Sequence, residues 1–223
     1  MLRGCFVTAT DTGVGKTVLA AALVASLRAR GEDVRVRKPV MTGLESPDPG
    51  GPIDHELLGS LSGEAPEAVS PARYGPAVSP HLAAELAGHT LDVAALIDDV
   101  RAAGEPVIVE GIGGLLVPLA EGWDVRRLAR ELGLGVLIAA RPGLGTINHT
   151  LLTIEAARSA GLDLRAVVLT PWPPAPQAIE HSNLATIERL GGVEVATLAT
   201  LSELTPQALA IAGCALPYER WLV

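Results

Sequence analysis

The sequence predicts a doubly wound α/β domain with a mostly parallel sheet, and three observations predict it. Short apolar runs rich in Val, Ile and Ala alternate with longer stretches of helical period. Strands that are apolar throughout need helices on both faces. The first such run ends in a glycine-rich turn that leads straight into a helix, the arrangement of a P-loop nucleotide-binding domain. A chain of 223 residues, 48% hydrophobic and 19% charged, has the size and composition of one such domain, spanning residues 1–223 around a buried core.

Residues 4–8 read as the first strand, and 17–30 as a helix rich in Ala, Leu and Val that Gly31 stops. Residues 34–40 alternate Val with Arg and form a second strand, closed by Lys38-Pro39. Residues 43–53 hold Gly, Pro and Asp and read as loop. A short helix over 54–62 carries Leu57, Leu58 and Leu61 on its apolar face. Ser79-Pro80 is an N-cap followed by an N1 proline and starts a helix to about Ala87. Another helix runs over 92–103. Residues 106–110 form a strand that ends in Glu110 and enters the turn Gly111-Ile112-Gly113-Gly114. A helix at 124–132 precedes a continuous apolar strand at 135–140. The remainder alternates helix 148–160, strand 165–170, helix 175–190, strand 193–198 and helix 205–212, with a proline-rich connector at 171–176. Ligands of such a sheet bind at the carboxyl ends of its strands.

Composition excludes several functions. A net charge of −8 and a pI near 5.1 oppose a phosphate-backbone binder, so no nucleic acid is expected. Aromatics at 3% cannot build a base-stacking platform. No run reaches the roughly 18 apolar residues that span a bilayer. The N-terminal apolar run enters a polar loop within a few residues and is not a secretory signal, so a cytoplasmic setting without membrane contact is expected. Cys5 and Cys214 form neither a metal pattern nor a disulfide framework, and Cys5 reads as a buried thiol.

The chemistry concentrates at the turns. Thr8-Ala9-Thr10-Asp11-Thr12-Gly13-Val14-Gly15-Lys16-Thr17 fits G-x-x-x-x-G-K-[ST] except for Thr10 at the first glycine position. Gly13 and Gly15 let successive N–H groups point at phosphate oxygens, and the helix N-terminus adds partial positive charge. Lys16 reaches β- and γ-phosphates, and the Thr17 hydroxyl ligates Mg²⁺. Asp11 stands where chromosome-partitioning ATPases carry a second loop lysine, which disfavours that type. Glu110 ends a strand before glycines, so its carboxylate can face the cation, whereas Asp54 begins a helix and reads either as N-cap or as metal contact. Of 17 basic residues only Lys16 and Lys38 are lysine. Lys38, at a strand's carboxyl end before proline, reads either as a second charge in the same crevice or as a solvated edge lysine. Thr42 is placed to donate to an anion. His81 reads as a surface or capping histidine, and Asn148 and His149 open a helix that they can cap.

Together these residues resemble the dethiobiotin synthetases of biotin biosynthesis. The resemblance rests on residues 6–17, on Lys38-Pro39-Val40-Met41-Thr42-Gly43, on Ser79-Pro80-His81, on Val109-Glu110-Gly111-Ile112-Gly113-Gly114 and on Gly145-Thr146-Ile147-Asn148-His149; it weakens after about residue 170. It implies an ATP- and Mg²⁺-dependent ligase that makes the cyclic urea of dethiobiotin from 7,8-diaminononanoate and CO₂, through a carbamate and its mixed anhydride with phosphate, leaving ADP and phosphate. It implies that Lys38 and Lys16 are catalytic. It implies nucleotide contacts from Gly13, Val14, Gly15, Lys16, Thr17, Val18, Asp54, Glu110, Gly111, Ile112 and Gly113. Mg²⁺ would fall to Thr17, Asp54 and Glu110, and substrate to Thr42 and Asn148. It also implies a homodimer in which residues 145–149 close the partner's substrate site.

The chain departs from the family where Thr170-Pro171-Trp172 replaces an Asn that reads adenine, which extends the expected donors to other nucleoside triphosphates. A family Pro-Trp-Leu-like turn near the base is likewise replaced by Ala199-Thr200-Leu201. Two alternatives remain beside this reading: the ATPase part of a cobyrinate-type amidotransferase, and a non-catalytic nucleotide-dependent switch.

Overall fold

The computed structural model describes residues 2–45 and 53–222. Its chain order begins with β1 (Gly4–Ala9), α1 (Lys16–Ala29), β2 (Arg35–Arg37), β3 (Val40–Met41), α2 (Asp54–Ser62), α3 (Pro66–Val69), β4 (Ala72–Arg73), α4 (Pro80–Leu86) and α5 (Val93–Ala102). It continues with β5 (Val107–Glu110), β6 (Pro118–Ala120), β7 (Trp123–Asp124), α6 (Val125–Leu132), β8 (Gly135–Ala140) and α7 (Thr146–Ser159). β9 (Leu164–Trp172), α8 (Ala178–Gly191), β10 (Glu194–Ala199), α9 (Pro206–Cys214) and a 3₁₀ turn (Tyr218–Arg220) complete it.

The main sheet has the order β10-β9-β8-β1-β5-β2, and every pair in it is parallel. The chain winds outward from β1 to β2, returns to β5, then crosses β1 to β8 and the far edge. That reversal puts the switch point, and with it a crevice, at the carboxyl end of β1. Alternation along β1 divides the core in two. Cys5, Val7 and Ala9 pack with α1, α2 and α9, whereas Phe6 packs with α5, α6, α7 and α8. Burial pushes the Cys5 thiol well above its ordinary range, which makes it an inert core residue.

α1 is buried along an uninterrupted stretch, residues 19–27, because α2 and α9 flank it and the sheet lies beneath. α9 comes so close that a Cβ at Gly213 would lie 2.1 Å from the Ala22 carbonyl oxygen. The edge strand β2 is tied down from outside the sheet. Glu64 accepts from the Val36 N–H at 2.9 Å and from Arg37 Nη1 at 2.7 Å, and Arg37 Nε donates to Asp99 Oδ2 at 3.0 Å.

The strand expected over 34–40 is split in two. The Lys38 N–H donates to the Val69 carbonyl at 2.7 Å and Pro39 has no N–H, so the ladder with β5 stops at Arg37. Val40–Met41 then pairs with Ala72–Arg73 in a separate two-stranded sheet. Of the loop expected over 43–53, residues 46–52 lie outside the described residues. Pro80 does occupy N1 of α4, but the Ser79 side chain makes no capping bond. Asp92, Asp124 and Thr205 do cap their helices, accepting from the Ala95, Arg127 and Ala208 N–H groups. No helix among the described residues is long and apolar enough to cross a membrane.

Candidate active site

The loop between β1 and α1 keeps the shape that its glycines permit. Gly13 and Gly15 have φ of 68° and 101°, and Gly15 is the N-cap residue of α1. A Cβ at Gly15 would also meet Thr170 Cγ2 at 3.0 Å, so the close approach of β9's end is a second reason for glycine there. The loop is braced from three sides. The Asp11 carboxylate accepts from the Thr12 N–H at 2.7 Å, the Arg141 guanidinium donates to the Thr12 carbonyl at 3.1 Å, and Thr10 N–H donates to Ala139 O at 3.0 Å. The Lys16 ammonium folds back towards the Asp11 carbonyl at 3.4 Å.

Beside this loop two strand ends deliver opposite charges. Lys38 follows β2 and Glu110 ends β5, the strand lying between β1 and β2. Lys38 Nζ lies 2.7 Å from Glu110 Oε1 and 2.5 Å from Asp54 Oδ2, and the Thr17 hydroxyl donates to the same Glu110 Oε1 at 2.9 Å. Asp54 is not the cap of α2: Ile53 is, so the Asp54 side chain is free for the lysine. Glu110 is fully buried, and its Oε2 has no partner.

Burial alone would lower the pKa of Lys38, but the Glu110 and Asp54 carboxylates outweigh it and hold the ammonium above its usual value. Burial pushes Asp54 up, and the charge and hydrogen bond of Lys38 more than reverse that, leaving Asp54 below the ordinary carboxylate value. Lys16 goes the other way. Burial lowers it, and the attraction of Glu110 only partly compensates.

These groups face a cleft of about 710 Å³. Gly13, Gly15, Lys16, Thr17, Val18 and Lys38 line it, together with Asp54, Glu110, Ile112 and Gly113. The apolar part of its wall comes from Met41, Leu44, Ile53, Val78 and Val117, and Thr42 lines the cleft with them. Sequence reasoning did not identify that wall, because single apolar residues scattered along the chain carry no periodicity.

Three of the expected residues do not line the cleft. Val14 is buried beneath the loop. At Gly111 a Cβ would meet Phe6 Cε1 and Val125 Cγ1 at 3.1 Å each, so packing requires that glycine. Asn148 is exposed within α7, which starts at Thr146 with Gly145 as N-cap, so neither Asn148 nor His149 caps it. The turn before α7 is fixed instead by the buried Asn183, whose amide donates to the Pro142 and Gly143 carbonyls at 2.8 and 3.1 Å. His81 lies exposed in α4.

Thr17, Asp54 and Glu110 offer a hydroxyl and two carboxylates, hard oxygen donors that suit Mg²⁺, and the unpartnered buried Oε2 of Glu110 fits such a ligand. No group of three or more His, Cys, Asp or Glu able to hold a metal occurs among the described residues. A cation that keeps waters and phosphate oxygens as ligands needs no such cage.

Residues 3–208 match the family described as AAA domain. The chain is 44% identical over 198 residues to the ATP-dependent dethiobiotin synthetase BioD of Anaeromyxobacter sp. strain Fw109-5, covering 86% of this chain and 87% of that protein. The enzyme of the same name from Haloferax mediterranei is 38% identical over 220 residues, 97% of this chain and 92% of its own. That from Bacillus subtilis subsp. natto is 38% identical over 199 residues, 87% and 85%. Among solved structures, the MinC:MinD cell division protein complex of Aquifex aeolicus aligns over 95% of this chain and 94% of that one, with a TM-score of 0.57 and 14% identity. Cell division protein FtsY from Thermotoga maritima aligns over 97% and 69%, with a TM-score of 0.51 and 13% identity. These two likenesses speak to the P-loop fold alone.

Proposed function

The chain belongs to the ATP-dependent dethiobiotin synthetases and is an ATP-dependent ligase of biotin biosynthesis, and from that premise we propose that it closes the ureido ring of dethiobiotin from 7,8-diaminononanoate and CO₂, releasing ADP and phosphate. The observation that carries the reading is the pairing of Lys38 with Asp54 and Glu110 beside the phosphate loop. It gathers two ammonium groups and two carboxylates at one strand-end crevice.

Carbamate formation needs a neutral amine. An alkylamine with a pKa near 10.4 is neutral about once in 10³ molecules at pH 7, a cost of roughly 4–5 kcal/mol. Lys16 and Lys38 lower that cost by disfavouring a further positive charge between them, and they then stabilise the carbamate anion. Phosphoryl transfer to the carbamate asks mainly for alignment and charge neutralisation. The backbone N–H groups around Gly13 and Gly15 and the Lys16 ammonium hold the phosphates; Lys38 neutralises charge where the γ-phosphoryl meets the carbamate. Thr17, Asp54 and Glu110 would hold Mg²⁺, which supplies further neutralisation when bound. The second amine of the docked diamine then attacks the anhydride carbon, and phosphate leaves. The apolar wall of Met41, Leu44, Ile53, Val78 and Val117 suits the substrate's alkyl chain, with Thr42 donating to its polar end.

A homodimer belongs to the same proposal. Leu144 is 95% exposed and Leu152 57% exposed, on the turn before α7 and on α7 itself. A second copy covering them would bring Asn148 to its neighbour's substrate. Thr170 in place of an adenine-reading Asn supports tolerance of other bases, so GTP and CTP should replace ATP with little loss; a strong ATP preference in a donor comparison would overturn that part.

The test is ADP release with and without the diamine in the presence of bicarbonate, with dethiobiotin followed by mass spectrometry. Diamine-dependent ADP matched by product is expected. Release indifferent to the diamine points to a nucleotide switch. A requirement for glutamine and a carboxylate points to an amidotransferase.

A further inference from the structure

Lys38 is held by groups assigned above to another cation. Its ammonium occupies Glu110 Oε1 and Asp54 Oδ2 at 2.7 and 2.5 Å, and Glu110 Oε1 also receives the Thr17 hydroxyl. The second Glu110 oxygen is buried without a donor. A divalent cation bound to Glu110 and Asp54, even through the free Glu110 Oε2, would sit close to this ammonium, and in a buried site their repulsion is screened far less than in water. Lys38 is itself 5% exposed, so an ammonium pushed off both carboxylates needs another anion at once. The same cleft supplies a place for one, since Lys16, Gly13 and Gly15 line it to receive phosphates.

We propose that Lys38 is the resident counter-ion of the metal-binding carboxylates in the nucleotide-free chain, and that it passes to the phosphates of a bound nucleotide, ADP included, when a divalent cation takes Asp54 and Glu110. The exchange rests on the reading that Thr17, Asp54 and Glu110 hold the cation. Cation alone then binds weakly, because Lys38 has nowhere to go. Cation with nucleotide binds cooperatively, because the phosphates receive the ammonium that the carboxylates lose. By linkage the cation tightens nucleotide binding by the same factor.

The probe is Mn²⁺, followed by the electron paramagnetic resonance of the free ion in titrations of the full chain, with and without ADP and corrected for Mn·ADP formed in solution. No turnover is involved. In the wild type, ADP is expected to tighten Mn²⁺ about tenfold or more. Lys38→Met removes the competitor, so Mn²⁺ alone should bind about tenfold tighter than in the wild type, with the ADP effect correspondingly smaller. Unchanged or weaker Mn²⁺ binding by a folded K38M variant overturns the exchange. Should thermal melting show that K38M does not fold, the wild-type titration decides alone: equal Mn²⁺ affinity with and without ADP overturns the proposal. Glu110→Gln separates the two readings. If it leaves Mn²⁺·ADP binding intact, the metal site itself is misassigned; if it weakens that binding while K38M shows no gain, only the exchange fails.

Discussion

Lys38→Ala should reduce diamine-dependent ADP release by at least about a thousandfold, while ADP binding in a calorimetric titration without divalent cation stays within about threefold of wild type. The Lys38–Asp54 contact also has a pH signature. Asp54 has a folded pKa below its ordinary value of 3.8, so the stability it contributes is present above that value and is lost as pH falls through the lower, folded one. The gap in urea midpoint between wild type and Asp54→Asn should therefore hold from neutral pH down to the ordinary carboxylate range and close only below it; a gap that shrinks as pH rises would reverse the assignment. For Lys38 the proline after it and the scarcity of lysine left a crevice charge and a solvated edge lysine both open, and the structure puts its ammonium between Asp54 and Glu110. Asp54 was open in the same way, since an Asp at a helix start serves equally as a cap, and the choice depends on Ile53 taking the cap position. Arg141, which braces the loop through the Thr12 carbonyl, carried no signal beyond lying at a strand end.

Among elements, the edge strand β2 gives the sharpest expectation. Glu64 serves both the Val36 N–H and the nearly buried Arg37 guanidinium, so Glu64→Ala leaves a donor and a charge short of partners. Arg37 keeps Asp99, which limits the damage. A loss of about 2–3 kcal/mol in urea unfolding is expected, with nucleotide affinity largely kept. The long elements could be read from apolar runs and helical periods, and α2 and β8 fall where the sequence placed them. What could not be read were β3, β4, β6 and β7, strands of two or three residues too short for any period to register. The same limit explains why one strand was expected over 34–40. Its alternation continues past Lys38, but the missing N–H of Pro39 and the Val69 carbonyl redirect the chain.

At the scale of the whole molecule, Lys38 lines the cleft and Asn148 does not, which leads to a prediction about pairs of chains. Lys38→Ala and Asn148→Ala variants, each impaired alone, should regain roughly a quarter of wild-type activity when mixed and allowed to exchange subunits, since half of the pairs are mixed and each mixed pair holds one intact site. No recovery, in a mixture shown to exchange, would mean that each chain completes its own site. The parallel sheet and the crevice at its strands' carboxyl ends followed from alternating strands and helices, whereas the strand order and the proposed pairing of chains had no imprint on periodicity. The seating of α1 has an outcome of its own. The rod that carries the phosphate cradle is the most deeply enclosed helix, wedged against the Ala22–Gly213 approach at its rear. Its freedom is surrendered once, when the protein folds, and a triphosphate arriving later has little left to immobilise. Heat or a misfit behind that rod should therefore extinguish nucleotide capture and global order in a single step.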